Sequence, residues 1–483
     1  MKKPVSLSVL GNTPSADAPP VVSLVSLGCA KNLVDSEKML GQLAESGCML
    51  SGDESAADTI VVNTCGFLEN SRTEALDILR DLAERKRRGT LRRIVVAGCL
   101  VQRDGEKLRE WVPEIDALIG VNNRDDVVRA VWRKDRDTAL DRFLGDYHAV
   151  SPGTPNRWSD LGRVRLTPPH YAYVRISEGC NQKCTFCTIP SIRGPMHSKT
   201  PAELVAECRE LIADGARELI LIGQDTTSYG ADLPVSNDAA VRYGGGGLAE
   251  LLRTLDRECD GARWIRLMYV YPSIFTDDMI DAIASCQRIV KYIDIPLQHI
   301  NDRVLRSMAR RVTRAQTETL LEKLRSRVPG VSIRTTFIVG FPGETEAEFG
   351  ELEQFVREFG FDAAGAFPYS LEPETPAGRM KEHLPSQVIA ERHERLMLAQ
   401  QPNAFAVAQS HVGATFEVII DGEQREDERG IIARHAGQAP EVDSVCLLAD
   451  GEFDAGEYVK VRGVEADDYD IVVRPTRRKL KLA

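Results

Sequence analysis

Residues 177–190 read SEGCNQKCTFCTIP and set Cys180, Cys184 and Cys187 at C-x3-C-x2-C spacing, with no fourth cysteine nearby. Thiolates this close can wrap one metal centre. A structural zinc site closes with four ligands, so a zinc knuckle here would lack one. A four-iron–four-sulfur cluster takes one cysteine per iron, and three cysteines leave one iron open to an exchangeable ligand. The motif directly follows the strand-like run YAYVRIS (171–177). Five more such runs follow: ELILIG, WIRLMYVY, VKYIDIPL, IRTTFIVG and AAGAFPYS. Helical patterns such as PAELVAECRELIADGA separate them, so they predict parallel βα units. Six units in about 200 residues predict a partial (β/α)6 TIM-like barrel, open on one side, with its chemistry at the carboxyl ends of the strands.

Upstream, VVSLVSLGC, DTIVVNTC and RRIVVAGC are each a β-like run ending in a cysteine: Cys29, Cys65 and Cys99. Each is followed by a helical pattern, which predicts a second parallel αβ domain. Ligands bind at the carboxyl edge of such sheets, so these three cysteines are expected to converge there. The proline-broken stretch after residue 132 reads as a linker. GADLPVSNDAAVRYGGGG (230–247) reads as an inserted loop and not a phosphate loop, because no lysine follows the glycines. From FEVIIDG onward, short alternating strands predict a small antiparallel β-barrel. The expected boundaries are a disordered leader 1–20, an N-terminal domain 21–132, a linker 133–165, the central domain 166–403, the terminal barrel 406–473 and a basic tail 474–483.

The chain has 483 residues, which calls for more than one core. No apolar run is long enough for a transmembrane helix, and MKKPVSLSVLGNTPSADAPP has no apolar core of a signal peptide. Eleven cysteines without an export signal favour metal or redox use over disulfides. Cys48, Cys208, Cys259, Cys286 and Cys446 read as small buried hydrophobes. The net charge of −11 is uneven. Residues 406–473 hold sixteen acidic and five basic side chains, densest at Glu426, Asp427 and Glu428, whereas 474–483 hold five basic and no acidic ones.

The barrel motif, with an aromatic before its last cysteine, resembles the radical S-adenosylmethionine superfamily. The resemblance implies that the open iron chelates S-adenosylmethionine and that the cluster cleaves it to a 5′-deoxyadenosyl radical. SLGCAKNLVDSE, VVNTCGFLENSRTEALD and VAGCLVQR resemble the N-terminal domain of the methylthiotransferases, in which Cys29, Cys65 and Cys99 would hold a second 4Fe-4S cluster that delivers sulfur. The terminal barrel resembles a TRAM domain.

Two branches of that family differ in substrate. One modifies adenosine in transfer RNA; the other, the RimO type, modifies the β-carbon of an aspartate in small-subunit ribosomal protein S-twelve. GQDTTSYG, YIDIPLQH, TTFIVGFPGETE, GAFPYSLEPETPA and HAGQAPEVDS resemble the second. The acidic terminal module argues the same way, since it would repel a phosphate backbone and attract a basic protein. A non-catalytic iron–sulfur sensor of ribosomes would also use the cysteines but leaves the barrel without purpose.

Position at strand ends makes Gln224, Asp225, Gly340 and Glu344 candidates for the adenosylmethionine pocket. His299 is a weaker candidate, and Arg193 could pair with a substrate carboxylate. The resemblance further implies a cytoplasmic monomer, served by a low-potential donor such as flavodoxin or ferredoxin, that meets the ribosomal protein free or in the small subunit.

Overall fold

The computed structural model describes residues 18–132, 147–151, 158–234, 247–424 and 430–476. Most of the leader, most of the 230–247 insertion, the acidic run 426–428 and most of the basic tail lie outside these residues.

The first sheet is parallel throughout and has six strands: β1 (Val21–Ser26), β2 (Met49–Leu50), β3 (Thr59–Thr64), β4 (Arg93–Gly98), β5 (Ala117–Gly120) and β6 (Tyr147–Ala149), in the order β2-β1-β3-β4-β5-β6. TIVVNT and RIVVAG are buried along their whole length, as strands covered on both faces must be. Helices α1 (Ala30–Glu45), α2 (Glu69–Arg87) and α3 (Cys99–Asp104) follow β1, β3 and β4.

The central domain opens with β7 (Tyr171–Arg175). A short hairpin of β8 (Ser177–Glu178) and β9 (His197–Ser198) brackets the cysteine motif. β10 (Glu218–Ile222), β11 (Trp264–Leu267), β12 (Ile289–Asp294), β13 (Ser332–Val339) and β14 (Ala363–Pro368) complete an open parallel sheet in the order β14-β13-β12-β11-β10-β7. The terminal module is a closed barrel of β15 (Thr415–Gln424), β16 (Ile431–His435), β17 (Cys446–Leu448), β18 (Tyr458–Asp467) and β19 (Asp470–Pro475).

Two features differ from the sequence expectation. The stretch read as a linker is partly built into the fold. Tyr147–Ala149 pairs with β5, and Asp160 is buried in a cage of Arg124 (2.7 Å), Lys199 (2.8 Å) and Arg175 (2.9 Å). Burial alone would raise this carboxyl, but Arg175, Lys199 and Arg124 hold it well below the usual range. Trp158 lies beneath Arg175 and Lys199, each 4.5 Å from its ring centre.

The acidity of the terminal module is also only partly an outer face. Glu417 pairs with Arg263, Asp421 accepts from Arg434 and His170, Glu441 accepts from the Tyr171 and Tyr173 hydroxyls, and Asp443 accepts from Tyr292 and Arg334. These carboxylates fasten the module to the central sheet. The fully buried Glu218 joins them, bridging Arg266 (2.7 Å) and Arg434 (2.8 Å).

Candidate functional site

All six cysteines of the two trios line one cavity of about 330 Å³ between the N-terminal sheet and the central barrel. Cys29 is the N-cap of α1, Cys65 leaves β3 and Cys99 begins α3, so the carboxyl edge of the sheet supplies all three. Close approach of their loops depends on glycine. A Cβ on Gly28 (φ +94°) would lie 2.8 Å from Cys65 Cβ, and one on Gly66 would lie 2.8 Å from the Cys99 backbone.

Asn32 knits these loops together. Its amide donates to the carbonyls of Leu27 (2.9 Å) and Thr64 (3.0 Å), and its Oδ1 accepts from Cys99 Sγ (3.4 Å) and Arg193 Nη2 (2.5 Å). No feature of the sequence pattern marks this asparagine, apart from its place three residues after Cys29.

The barrel trio sits in the loop after β8. Backbone N–H groups of Gln182 and Ile189 donate to the sulfurs of Cys180 and Cys187, each at 3.4 Å. Arg310 lies 3.8 Å from Cys184 Sγ and stacks on Tyr271, 4.0 Å from its ring centre. Burial pushes Cys180 up to about 11 and Cys99 and Cys187 up to about 12; it also raises Cys65. Cys29 behaves oppositely: burial acts upward, but Lys31, Arg193 and two backbone N–H groups hold it below the ordinary thiol value. Thiols that burial keeps protonated become thiolates when a cation coordinates them, which is the demand an iron cluster meets. Among the described residues no three Cys, His, Asp or Glu side chains converge on a single metal ion. Backbone N–H groups donate to sulfurs of both trios, to Cys29 and Cys65 in one and Cys180 and Cys187 in the other, bonds of the kind that tune a cluster's potential. The residues fit two 4Fe-4S clusters.

The other candidates divide. Gln224 lines the cavity, donates to Glu178 (2.6 Å) and leaves its buried Oε1 without a partner, an acceptor open to a bound group. Asp225 stands behind the wall, holding Gln182 (2.8 Å) and Ser228. Gly340 and Glu344 do not line the cavity. Glu344 turns to Arg392 (2.6 Å) on the helix Ser386–Ser410 and accepts from the Gly340 N–H (3.2 Å), while a Cβ on Gly340 would strike Ile389. His299 is fully buried, with Nδ1 accepting from the Asn301 N–H and Nε2 3.5 Å from Glu344. Arg193 is committed to Glu178 (2.8 Å) and Asp35 (3.2 Å), so it is not free for a substrate carboxylate.

Lys31, Tyr269, Gln298 and Arg310 also line the cavity, and sequence reasoning missed them. Tyr269 and Gln298 hold positive φ (60° and 72°), a strained state for side-chain-bearing residues that clusters at functional sites. Only Lys31, two residues after Cys29, had a signal: a cation beside a candidate iron ligand.

Residues 174–356 match the family model of the radical SAM superfamily, 21–120 that of Uncharacterized protein family UPF0004, and 412–475 that of the TRAM domain. A ribosomal protein uS12 methylthiotransferase RimO of Bdellovibrio bacteriovorus is 41% identical, covering 93% of this chain and 96% of its own. The protein of that name from Anaeromyxobacter is 44% identical, covering 95% and 93%. In fold, the chain is similar to a radical S-adenosylmethionine methyltransferase, TsrM, of Kitasatospora setae, with TM-score 0.52 and 16% identity over 75% of this chain and 74% of that one. The chain belongs to the ribosomal protein uS12 methylthiotransferase family, within the radical S-adenosylmethionine superfamily.

Proposed function

We infer that the protein is a radical S-adenosylmethionine methylthiotransferase that adds a methylthio group to the β-carbon of an aspartate of ribosomal protein uS12. The carrying observation is that two cysteine trios, one from each domain, open on the same cavity.

Cys180, Cys184 and Cys187 would hold the barrel cluster, and Cys29, Cys65 and Cys99 the other. When bound, the first with S-adenosylmethionine would supply the radical that removes hydrogen, the second would supply sulfur, and a second S-adenosylmethionine would supply the methyl group. The chain's own work is placement. Gln224 offers an acceptor to the adenosylmethionine side, the Gln182 and Ile189 N–H groups set the electron richness of the barrel sulfurs, and the Tyr269–Tyr271 wall shields the cavity from water. Asp225 acts through Gln182. Gly340 and Glu344 shape the end of β13 from outside the cavity, and a contact to adenosylmethionine there would require Glu344 to leave Arg392.

Among the described residues no helix is long and apolar enough to cross a membrane. The reading places the protein in the cytoplasm with the ribosome, as a monomer that takes electrons from a flavodoxin- or ferredoxin-like donor. The test is a competition: the reconstituted enzyme, adenosylmethionine and a low-potential reductant are given uS12 and transfer RNA together. Methylthio groups on uS12 alone support the assignment; methylthio groups on transfer RNA alone reject it.

A further inference from the structure

We propose that Lys31, propped on Tyr269, is the residue that holds the side-chain carboxylate of the target aspartate; this rests on the substrate reading above. Lys31 stands in the first turn of α1, two residues after Cys29, and its partner Tyr269 follows β11, so the ammonium lines the cavity on which both trios open. A target carbon must sit there to meet both a hydrogen acceptor and a sulfur donor.

The ammonium lies over the Tyr269 ring, 3.6 Å from its centre, and no carboxylate among the described residues pairs with it. The carboxylates that act on it from further away are engaged elsewhere. Glu178 binds Arg175 (2.6 Å) and Arg193 (2.8 Å); Asp294 binds Arg334 (2.8 Å). The neighbouring thiols are the candidate iron ligands. The other two cations of the cavity are also committed: Arg193 to Glu178 and Asp35, and Arg310 to the Pro296 carbonyl (2.6 Å) and the Tyr271 ring. Apart from the Cys29 sulfur beside it, Lys31 is thus the cation of the cavity that no carboxylate among the described residues engages.

The prop is rigid. Tyr269 keeps its φ of 60° because its N–H donates to Asp294 (3.1 Å) and its carbonyl accepts from the Thr226 N–H (3.1 Å) and hydroxyl (3.0 Å). A strained residue locked at three points, presenting its ring to a buried ammonium, is a built receptor.

Two carboxylates can enter this cavity, that of the target aspartate and that of adenosylmethionine. Lys31 belongs to α1 of the N-terminal domain and not to the barrel loop of the cluster that binds the cofactor, which favours the aspartate. The test is a double-mutant cycle between enzyme and substrate. Binding of uS12, and of uS12 with its modified aspartate changed to asparagine, is titrated against the cluster-loaded wild type and Lys31→Met.

For native uS12 the substitution should weaken binding by about tenfold or more, as loss of one charged hydrogen bond does, and for the asparagine form by less than about twofold. KM for uS12 should rise more than kcat falls, and more 5′-deoxyadenosine should be released per product. Equal weakening for both substrates, or weakened binding of adenosylmethionine instead, overturns the proposal. Lys31→Gln serves in place of Lys31→Met if the latter loses iron. If uS12 does not bind the wild type at all, the substrate reading fails and not the role of Lys31 within it.

Discussion

Arg193 Nη2 reaches Asn32 Oδ1 at 2.5 Å, joining the helix just after the barrel cysteines to the first turn of α1 beside Cys29, 161 residues away in sequence. The same guanidinium binds Glu178 and Asp35, and Asn32 in turn accepts from Cys99. One buried cation thus sets the distance between the two candidate cluster sites.

Arg193→Met should leave Glu178 and Asp35 buried without this partner. Breaking a buried pair from one side costs about 3–5 kcal/mol, so the urea midpoint should fall sharply. Reconstituted iron should fall at the N-terminal trio first, because Asn32 loses its anchor. Arg193→Lys keeps the charge but not the fork, and should lie between. Unchanged iron and an unchanged midpoint in Arg193→Met would show that this residue does not hold the two sites together.

Replacing Cys29, Cys65 and Cys99 together by Ala should take reconstituted iron from about eight to about four per chain, four per cluster. Uncoupled formation of 5′-deoxyadenosine should persist, and methylthio product should vanish. Cys184→Ala should abolish both. Iron analysis and chromatography of the nucleoside check this; full iron in the triple variant would contradict it.

Glu178 gives a pH dependence. Burial would raise its carboxyl, but Arg193 and Arg175 bring it from 4.5 down to about 2. The folded chain binds this proton less readily than the unfolded one. The contribution, about 3 kcal/mol, is therefore complete above pH about 4.5 and is lost as pH falls toward about 2. In urea titrations of the iron-free chain, Glu178→Gln should lose stability at pH 7 and show a shallower acid decline than the wild type. Parallel acid declines in the two proteins would count against it.

The strands were legible because Val, Ile and Leu concentrate in short runs between helical patterns, and in a parallel sheet such runs are buried on both faces. All six barrel strands and the three cysteine-ending strands lie where the runs stand, and the terminal barrel opens with β15 on FEVIIDG, its other strands falling on RGIIARH, SVCLLA, EYVKVRGV and YDIVVRP. β5 is only ALIG, and β6 hides in a polar stretch, so neither run was long enough to read. The Asp160 cage was illegible for another reason: Asp160, Arg124, Arg175 and Lys199 meet only after two domains pack, and an isolated aspartate in a polar segment carries no periodic signal. Glu344 follows a strand end just as Gln224 does. What separates them is Arg392 on a helix with no sequence mark of its destination. Lys31 comes from the first turn of α1 and Tyr269, Gln298 and Arg310 from three loops, and only the folded chain brings them to one cavity.

Methylthiolation of uS12 by this chain should need both cysteine trios. The intact mass of uS12 tests it, measured from cells lacking the gene and from the same cells carrying the wild-type, Cys99→Ala or Cys184→Ala gene. The expected result is unmodified uS12 in the deletion strain, one methylthio group restored by the wild type, and none by either variant. Modified uS12 in the deletion strain, or full restoration by Cys99→Ala, would contradict it.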